Sequence, residues 1–137
     1  MLLDITVIRS GSRPRISYLF EAKQLRTSGF PIGKHTGAGG MGDFIECRYG
    51  QECPEAAMVA LYHDRDIPYW HSELARVLED DKNSQKQKLR TTTALSEISI
   101  LPELVGELEI RHGRTDSTGE ICLLHIFLDC RPSCARV

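Results

Sequence analysis

Two acidic residues and a lysine near the amino terminus have the types and spacing of a hydrolytic metal site. Glu21 and Lys23 are separated only by Ala22, and Asp4 lies in an earlier apolar run. Cleaving a phosphodiester requires an anchored divalent cation, an activated water and positive charge beside the scissile phosphate. Carboxylates are hard oxygen ligands that suit Mg²⁺, with Mn²⁺ as a substitute, and a lysine can orient or deprotonate the water. The three residues therefore predict metal-dependent phosphodiester hydrolysis.

The segments that carry these residues have the character of β-strands. Residues 2–8 are apolar and β-branched and end at a glycine-containing turn, and residues 16–23 are again rich in strand formers. The short connection predicts an antiparallel hairpin. Side chains alternate along a strand, so Glu21 and Lys23 share a face, and the hairpin could bring Asp4 across from Glu21. The backbone carbonyl of Ala22 is a candidate further metal ligand.

A Glu-x-Lys pair on a strand is a weak signal by itself, because exposed strands often alternate such charges. The apolar Leu19 and Phe20 directly before Glu21 favour a central strand, where charged side chains are costly without partners. A structural salt-bridge cluster of the two acids and Lys23 is the alternative interpretation.

The remaining segments predict one α+β domain, a size that 137 residues fit. The hydrophobic periodicity, glycines and charges predict a glycine-rich surface loop at 27–42, a short helix at 43–49, an amphipathic helix at 67–81, a solvated polar linker at 80–93, and strands at 104–112 and 120–128. The periodicity of 55–62 fits either a helix or a buried strand, and the strand is favoured. No internal repeat is present.

Charge and composition limit the partners. A net charge of −2 argues against broad coating of nucleic acid, but cations are concentrated in the first 34 residues. Within and beside that patch, Arg13, Arg15, Lys34 and His35 are predicted to contact nucleic acid. No signal peptide or long apolar run is present, and the five cysteines are odd in number, which predicts a cytoplasmic protein with reduced thiols and no membrane partner.

Other chemistry-bearing residues have weaker patterns. The glycines at 37–42 lack the Gly-Lys-Ser/Thr of a nucleotide-binding loop, so ATP binding is not expected. Neither the cysteine spacing nor the spacing of His63, His71, His112 and His125 matches a metal site, so these histidines are predicted to be hydrogen-bonded structural groups. Arg111 and Arg114 flank a turn and are expected to face solvent.

Several segments resemble the restriction-endonuclease-like PD-(D/E)xK superfamily. The resemblance lies in Leu3-Asp4-Ile5, Arg13-Pro14-Arg15, Phe20-Glu21-Ala22-Lys23, Glu55-Ala56-Ala57-Met58 and Leu124-His125-Ile126-Phe127-Leu128-Asp129. It implies a mixed central β-sheet flanked by helices, with metal held by Asp4 and Glu21 and with Lys23 as the third catalytic residue. It also implies a magnesium-dependent DNA endonuclease with a role in restriction or defence against phage.

The resemblance includes one departure. Proteins of this superfamily usually have a helix before the strand that carries the aspartate, whereas Asp4 lies three residues from Met1. One flank of the sheet is then expected to be covered by a second copy of the chain or by another protein. The alternative function is a catalytically inactive subunit that keeps the nuclease fold for nucleic-acid binding or assembly.

Overall fold

A mixed β-sheet forms the centre of the protein. The computed structural model describes residues 3–8, 17–47, 53–100, 102–114 and 119–133, with backbone alone for 3–8, 17 and 18. The strands are β1 (Leu3–Ile8), β2 (Ser17–Leu25), β3 (Glu55–Tyr62), β4 (Ser96–Glu97), β5 (Leu108–Gly113) and β6 (Glu120–Asp129). They lie in the order β1-β2-β3-β6-β5-β4. The α+β class predicted from the sequence is confirmed.

Strand directions follow the sequence pattern. β1 and β2 pair antiparallel, as predicted for the hairpin, and β2, β3 and β6 are mutually parallel. β5 returns antiparallel to β6, and the two-residue β4 pairs with its outer edge. Strands at a parallel centre are usually apolar on both faces, which explains why the run at 55–62 lacks the alternation of a half-exposed strand.

Three helices connect the strands: α1 (Gly33–Thr36), α2 (Met41–Ile45) and α3 (Ile67–Ser84). The Asp66 side chain caps α3 by accepting a hydrogen bond from the Tyr69 backbone N–H at 2.9 Å, and a proline lies in its first turn. The helix ends where Gln85 takes a left-handed conformation with φ of 54°. It thus matches the predicted amphipathic helix and extends three residues beyond it.

The described helices pack on a single face of the sheet. Trp70, Leu74 and Leu78 of α3 are buried against it in one cluster with Met58 and Phe127. Most of the larger side chains that point the other way along β2, β3 and β6 are only partly buried, and they include Phe20, Val59, Leu61, Leu124, Ile126 and Leu128. No helix in the described part of the chain is long and apolar enough to cross a membrane.

The segment predicted as a surface loop at 27–42 is instead partly helical and partly buried. It contains α1 and the start of α2, and Ile32, His35 and Met41 are at most 2% exposed. Gly40 permits this packing, because a Cβ there would lie 2.2 Å from the His35 carbonyl oxygen. The surface-loop prediction is therefore wrong: the apolar side chains between the glycines provide core contacts. The short helix predicted at 43–49 overlaps α2 only at 43–45: α2 begins two residues earlier, 46 and 47 form a turn, and 48 and 49 lie outside the described residues.

Two further expectations are corrected. Arg114 was expected to face solvent, but it is 5% exposed and donates to the carbonyls of Cys53 at 2.9 Å and Phe44 at 3.1 Å. A guanidinium has five donors in a fixed fork, so it can satisfy several backbone carbonyls at once inside the fold. Arg111 is exposed, as expected. The strand predicted from 104 begins only at Leu108, after Gly106 with φ of 81°.

The turn after β2 is tied to the start of α3. The Asp64 carboxylate accepts the backbone N–H of Thr27 at 3.1 Å and also its hydroxyl, and the Thr27 hydroxyl is the main cause of the lowered pKa of Asp64. The Asp64 carbonyl in turn accepts the indole N–H of Trp70 at 2.9 Å. Hydrogen bonds to Asp64 therefore connect the end of the second strand to a buried side chain of the long helix.

Candidate functional site

The strand register places Asp4 and Glu21 in one row across the sheet, and Lys23 lies two residues further along β2. Asp4 is the direct partner of Glu21, Glu21 is aligned with Met58, and Met58 is aligned with His125. Positions directly opposite each other on paired strands share a face of the sheet. That face is the one covered by the helices, because Glu21, Met58 and His125 are at most 1% exposed.

Glu21 forms an ion pair with Lys23, which lies two residues along β2 from this row. The Lys23 Nζ lies 3.2 Å from Glu21 Oε1, and the two side chains are 17% and 2% exposed. The predicted sharing of a face by these residues is therefore confirmed. The Lys23 side chain is therefore the more accessible member of the pair.

A buried pair of histidines lies beside Lys23. α1 places His35 so that its Nε2 is 2.8 Å from Nδ1 of His125 on β6, and both side chains are 0% exposed. Burial, and then the Lys23 ammonium, lower the pKa of His35 to about 4. Burial also lowers the pKa of His125 well below its usual value, reinforced by the neighbouring histidines. Both rings are therefore neutral near pH 7, and one nitrogen of the pair donates to the other.

Two ring nitrogens of this pair are left available. His35 Nδ1 and His125 Nε2 are buried without a hydrogen-bond partner among the described residues. Buried polar atoms normally have partners, so these nitrogens mark places where the site can accept or donate another hydrogen bond. His71 and His112 each have a ring nitrogen at 2.8 and 2.7 Å from the carbonyls of Gly106 and Leu89, as expected of structural histidines. His112 Nε2 and His63 Nε2 are likewise buried without a hydrogen-bond partner among the described residues.

Sequence reasoning missed the association of His35 with His125. The two residues are separated by 90 positions, and only the parallel pairing of β3 with β6 brings the second ring into the row of Glu21. The one local signal is the alternation of β6, where His125 occupies the same face as the buried Leu123 and Phe127. A histidine at such a position is buried by its neighbours.

The predicted nucleic-acid contacts are placed unevenly. Lys34 is exposed on α1, whereas the adjacent His35 is fully buried. Arg13 and Arg15 lie outside the described residues. The contact of these four residues with nucleic acid stays a prediction.

The donor atoms predicted for a metal are two carboxylates and a carbonyl. Among the side chains that the structure describes, no group of three or more His, Cys, Asp or Glu residues is arranged around a common point. The side chain of Asp4 is outside that description, but its backbone is in register with Glu21. Ala22 lies between Leu3 and Val59 in the sheet. Mg²⁺ typically takes one or two protein carboxylates and fills its other positions with water and phosphate, so this donor set fits the ion.

Comparison with known proteins adds no relative. No family model matches the chain, and neither a curated protein nor a solved structure is significantly similar to it.

Proposed function

We infer that the chain is a metal-dependent deoxyribonuclease with Asp4, Glu21 and Lys23 at its cleavage centre, acting in restriction or defence against phage. The observation that carries this proposal is the direct register of Asp4 with Glu21, together with the 3.2 Å contact between Glu21 and Lys23. A carboxylate pair and a lysine on one sheet face are the groups that hydrolysis of a phosphodiester needs.

In this proposal Asp4 and Glu21, with the Ala22 carbonyl, hold Mg²⁺ or Mn²⁺. The bound ion supplies charge neutralisation at the phosphate and lowers the pKa of a coordinated water. Glu21 also fixes the Lys23 ammonium, which donates to the attacking water or to a phosphate oxygen and offsets developing negative charge. Burial of Glu21 strengthens these interactions, because electrostatic attraction is weaker in bulk water.

The neutral histidine pair supports the same arrangement. A protonated His35 would place a second positive charge near Lys23, and the lowered pKa of His35 avoids this at neutral pH. The Lys23 ammonium then interacts with the carboxylates and the phosphate without repulsion from a charged His35.

The decisive experiment is plasmid nicking by purified protein with Mg²⁺, with Mn²⁺ and with EDTA. We expect cleavage with either ion, none with EDTA, and a loss on the order of a hundredfold or more for Glu21→Gln and for Lys23→Ala. Calorimetry separates the two roles: Glu21→Gln weakens metal binding, whereas Lys23→Ala spares it. Glu79→Gln and Lys82→Ala are matched controls, because that exposed pair on α3 is 3.8 Å apart and lies outside the proposed site.

The second candidate function is a catalytically inactive nuclease-fold subunit that binds nucleic acid or assembles with other chains. The 1% exposure of Glu21 favours it, since a buried carboxylate held by a lysine is also a structural arrangement. Under this alternative the wild-type protein leaves plasmid intact with either metal ion. Cleavage that persists at the wild-type rate in both site variants would instead move the active site elsewhere.

DNA and a second copy of this chain are the proposed partners. Support for the second copy comes from an apolar groove of about 320 Å³ on the sheet face opposite the helices, to which Phe20, Ala57, Ile100, Leu124 and Ile126 contribute. Apolar surface of this kind is often buried by association. Light scattering that finds only monomer at high concentration would count against the dimer, and another protein would then be the candidate occupant.

A further inference from the structure

The segment that follows α3 is more ordered than its composition suggests. Residues 80–93 are polar and cationic, which predicts a solvated linker, yet α3 continues to Ser84 and Leu89 is 1% exposed. The buried Asp81 carboxylate accepts the backbone N–H groups of Gln87 at 2.7 Å and Leu89 at 2.9 Å. We call residues 85–90 the basic loop.

Further hydrogen bonds attach the end of the basic loop to β5. The Leu89 carbonyl lies 2.7 Å from His112 Nδ1, and the Arg90 carbonyl accepts from Gly113 N–H at 2.8 Å. Both of these partners belong to β5. The loop is therefore fixed at both ends, to the last turn of α3 and to a strand of the sheet.

The three cationic side chains of the basic loop are exposed, whereas its Leu89 is buried. Lys86, Lys88 and Arg90 are exposed, and no described carboxylate lies within salt-bridge distance of any of them. Lys82 differs, because it is paired with Glu79 at 3.8 Å. A depression of about 660 Å³ is lined in part by Lys88 and Arg90. Cations fixed around a concave surface attract a negatively charged partner.

Residues of the basic loop have backbone conformations that are unfavourable for amino acids other than glycine. Gln85, Lys88 and Arg90 have φ of 54°, 53° and 52°, and they are three of the five non-glycine residues with positive φ in the described part of the chain. Gln85 is explained by the end of α3, but Lys88 and Arg90 are not at a helix end. Such conformations persist only where the surroundings enforce them, and they are concentrated at functional sites.

The basic loop is also connected to the candidate cleavage centre. The Thr36 hydroxyl donates to Gln87 Oε1 at 3.1 Å, so α1 contacts the loop directly. The preceding residue of α1, His35, contacts His125 in the row of Glu21, and Lys34 is exposed on the same short helix. One helix therefore contacts both the proposed site and the loop.

We propose that the basic loop binds backbone phosphates of duplex DNA and so holds the substrate of the nuclease, an inference that rests on the proposed function. Lys88 and Arg90 supply the contacts, and the anchored backbone keeps them in position before DNA arrives. Phosphate contacts of this kind position a protein on a duplex without reading its sequence.

The test is fluorescence anisotropy of a labelled 20-base-pair duplex in EDTA, where no cleavage occurs, with the full chain at several salt concentrations. Each phosphate contact contributes a factor of about 8 at 0.1 M salt, so Lys88→Gln/Arg90→Gln should weaken binding by about 60-fold and reduce the slope of log K against log[salt] by about 1.8. Thermal unfolding checks that this variant is folded.

Arg26→Gln/Arg65→Gln is the matched control. It removes the same charge from two exposed residues, one of which also has positive φ, at the opposite end of the parallel strands. We expect the control to bind like wild type. Equal weakening in both variants would overturn the proposal, since net charge alone would then explain it. Weaker binding to heparin with unchanged duplex affinity would overturn it as well.

The two proposals fail separately. If wild type binds duplex through the basic loop but leaves plasmid intact with Mg²⁺ and Mn²⁺, the proposal of nuclease activity is wrong and the proposal of DNA binding by the loop is supported. If wild type cleaves plasmid but Lys88→Gln/Arg90→Gln binds duplex like wild type, the nuclease stands and the loop does not hold its substrate.

Discussion

The two faces of the central sheet differ in the polar groups that they carry. Under the helices, Glu21, His35, His112 and His125 are at most 1% exposed, among the apolar side chains of the core. On the other face, most of the larger side chains that alternate with them along the strands are apolar and only partly buried. A covered sheet face is usually apolar throughout, so the buried carboxylate and imidazoles are exceptions to the usual pattern.

This difference distinguishes residues that stabilise the fold from residues that serve the candidate site. A buried charge or unpaired ring nitrogen is unfavourable unless partners compensate, and apolar residues of similar volume often stabilise a fold as well or better. Local departures from the rules of stability are expected at functional positions. We therefore interpret the covered face as the one constrained by chemistry, and the open face as the one constrained by association.

The largest expected effect comes from acid, and it acts on the covered face. The pKa of His35 and of His112 is lowered from 6.5 to about 4, in both cases mainly by burial. Below pH 6.5 the unfolded chain binds protons that the folded chain does not, so this stability is present above pH 6.5 and is lost as the pH falls toward 4. Each histidine should contribute a loss on the order of 3 kcal/mol. Urea unfolding at pH 7, 6, 5 and 4.5 measures it.

The slope of the unfolding free energy against pH, rather than the stability at one pH, identifies which histidines are responsible. His112→Leu should reduce the dependence of unfolding free energy on pH by about 1.4 kcal/mol per pH unit between pH 6 and 4.5. Asp129 does not interfere, because its hydrogen bonds with Arg131 hold its pKa at about 2, below this window. An unchanged slope in the variant would mean that His112 is not buried in its neutral form.

The sequence predicted the secondary-structure elements better than it predicted how they pack. Local composition was sufficient for β1, β2 and α3, because strand formers, helical periodicity and a proline in the first turn act over a few residues, whereas it left β3 ambiguous between helix and strand. It failed for the segment at 27–42 and for Arg114, since the burial of both depends on contacts with residues distant in sequence. The shared face of Glu21 and Lys23 follows from a period of two, whereas the partner of His35 depends on strand order.

The next largest effect compares neighbouring residues on opposite faces of β6. Phe127 is 3% exposed under the helices, and Ile126 is half-buried on the open face. Phe127→Ala should reduce the free energy of unfolding by about 3–5 kcal/mol, and Ile126→Ala by about 1–2 kcal/mol, because less of its surface leaves water on folding. Denaturant unfolding at two protein concentrations provides the measurement. A loss for Ile126→Ala that matches that of Phe127→Ala and grows with concentration would show that a second copy covers the open face.

The smallest effect concerns the ion pair itself. Lys23→Met should destabilise the protein by about 2 kcal/mol, less than for a fully buried pair because Lys23 is 17% exposed on its side chain. Adding Glu21→Leu should recover most of this loss, since no buried charge then remains, while plasmid cleavage stays absent. Thermal unfolding of the wild type, both single variants and the double variant completes the cycle. If the double variant is as unstable as the sum of the two singles, the residues act independently and the pair does not exist in solution.

Trp70, whose indole N–H donates to the Asp64 carbonyl, is an intrinsic fluorescent probe. The chain has one tryptophan, its side chain is 1% exposed, and the Tyr69 ring meets it edge-on at 5.0 Å. Its emission therefore comes from one environment, which changes if α3 leaves the sheet or if the turn held by Asp64 opens. Because that turn follows the strand that carries Glu21 and Lys23, fluorescence of the unlabelled protein reports on the neighbourhood of the candidate site.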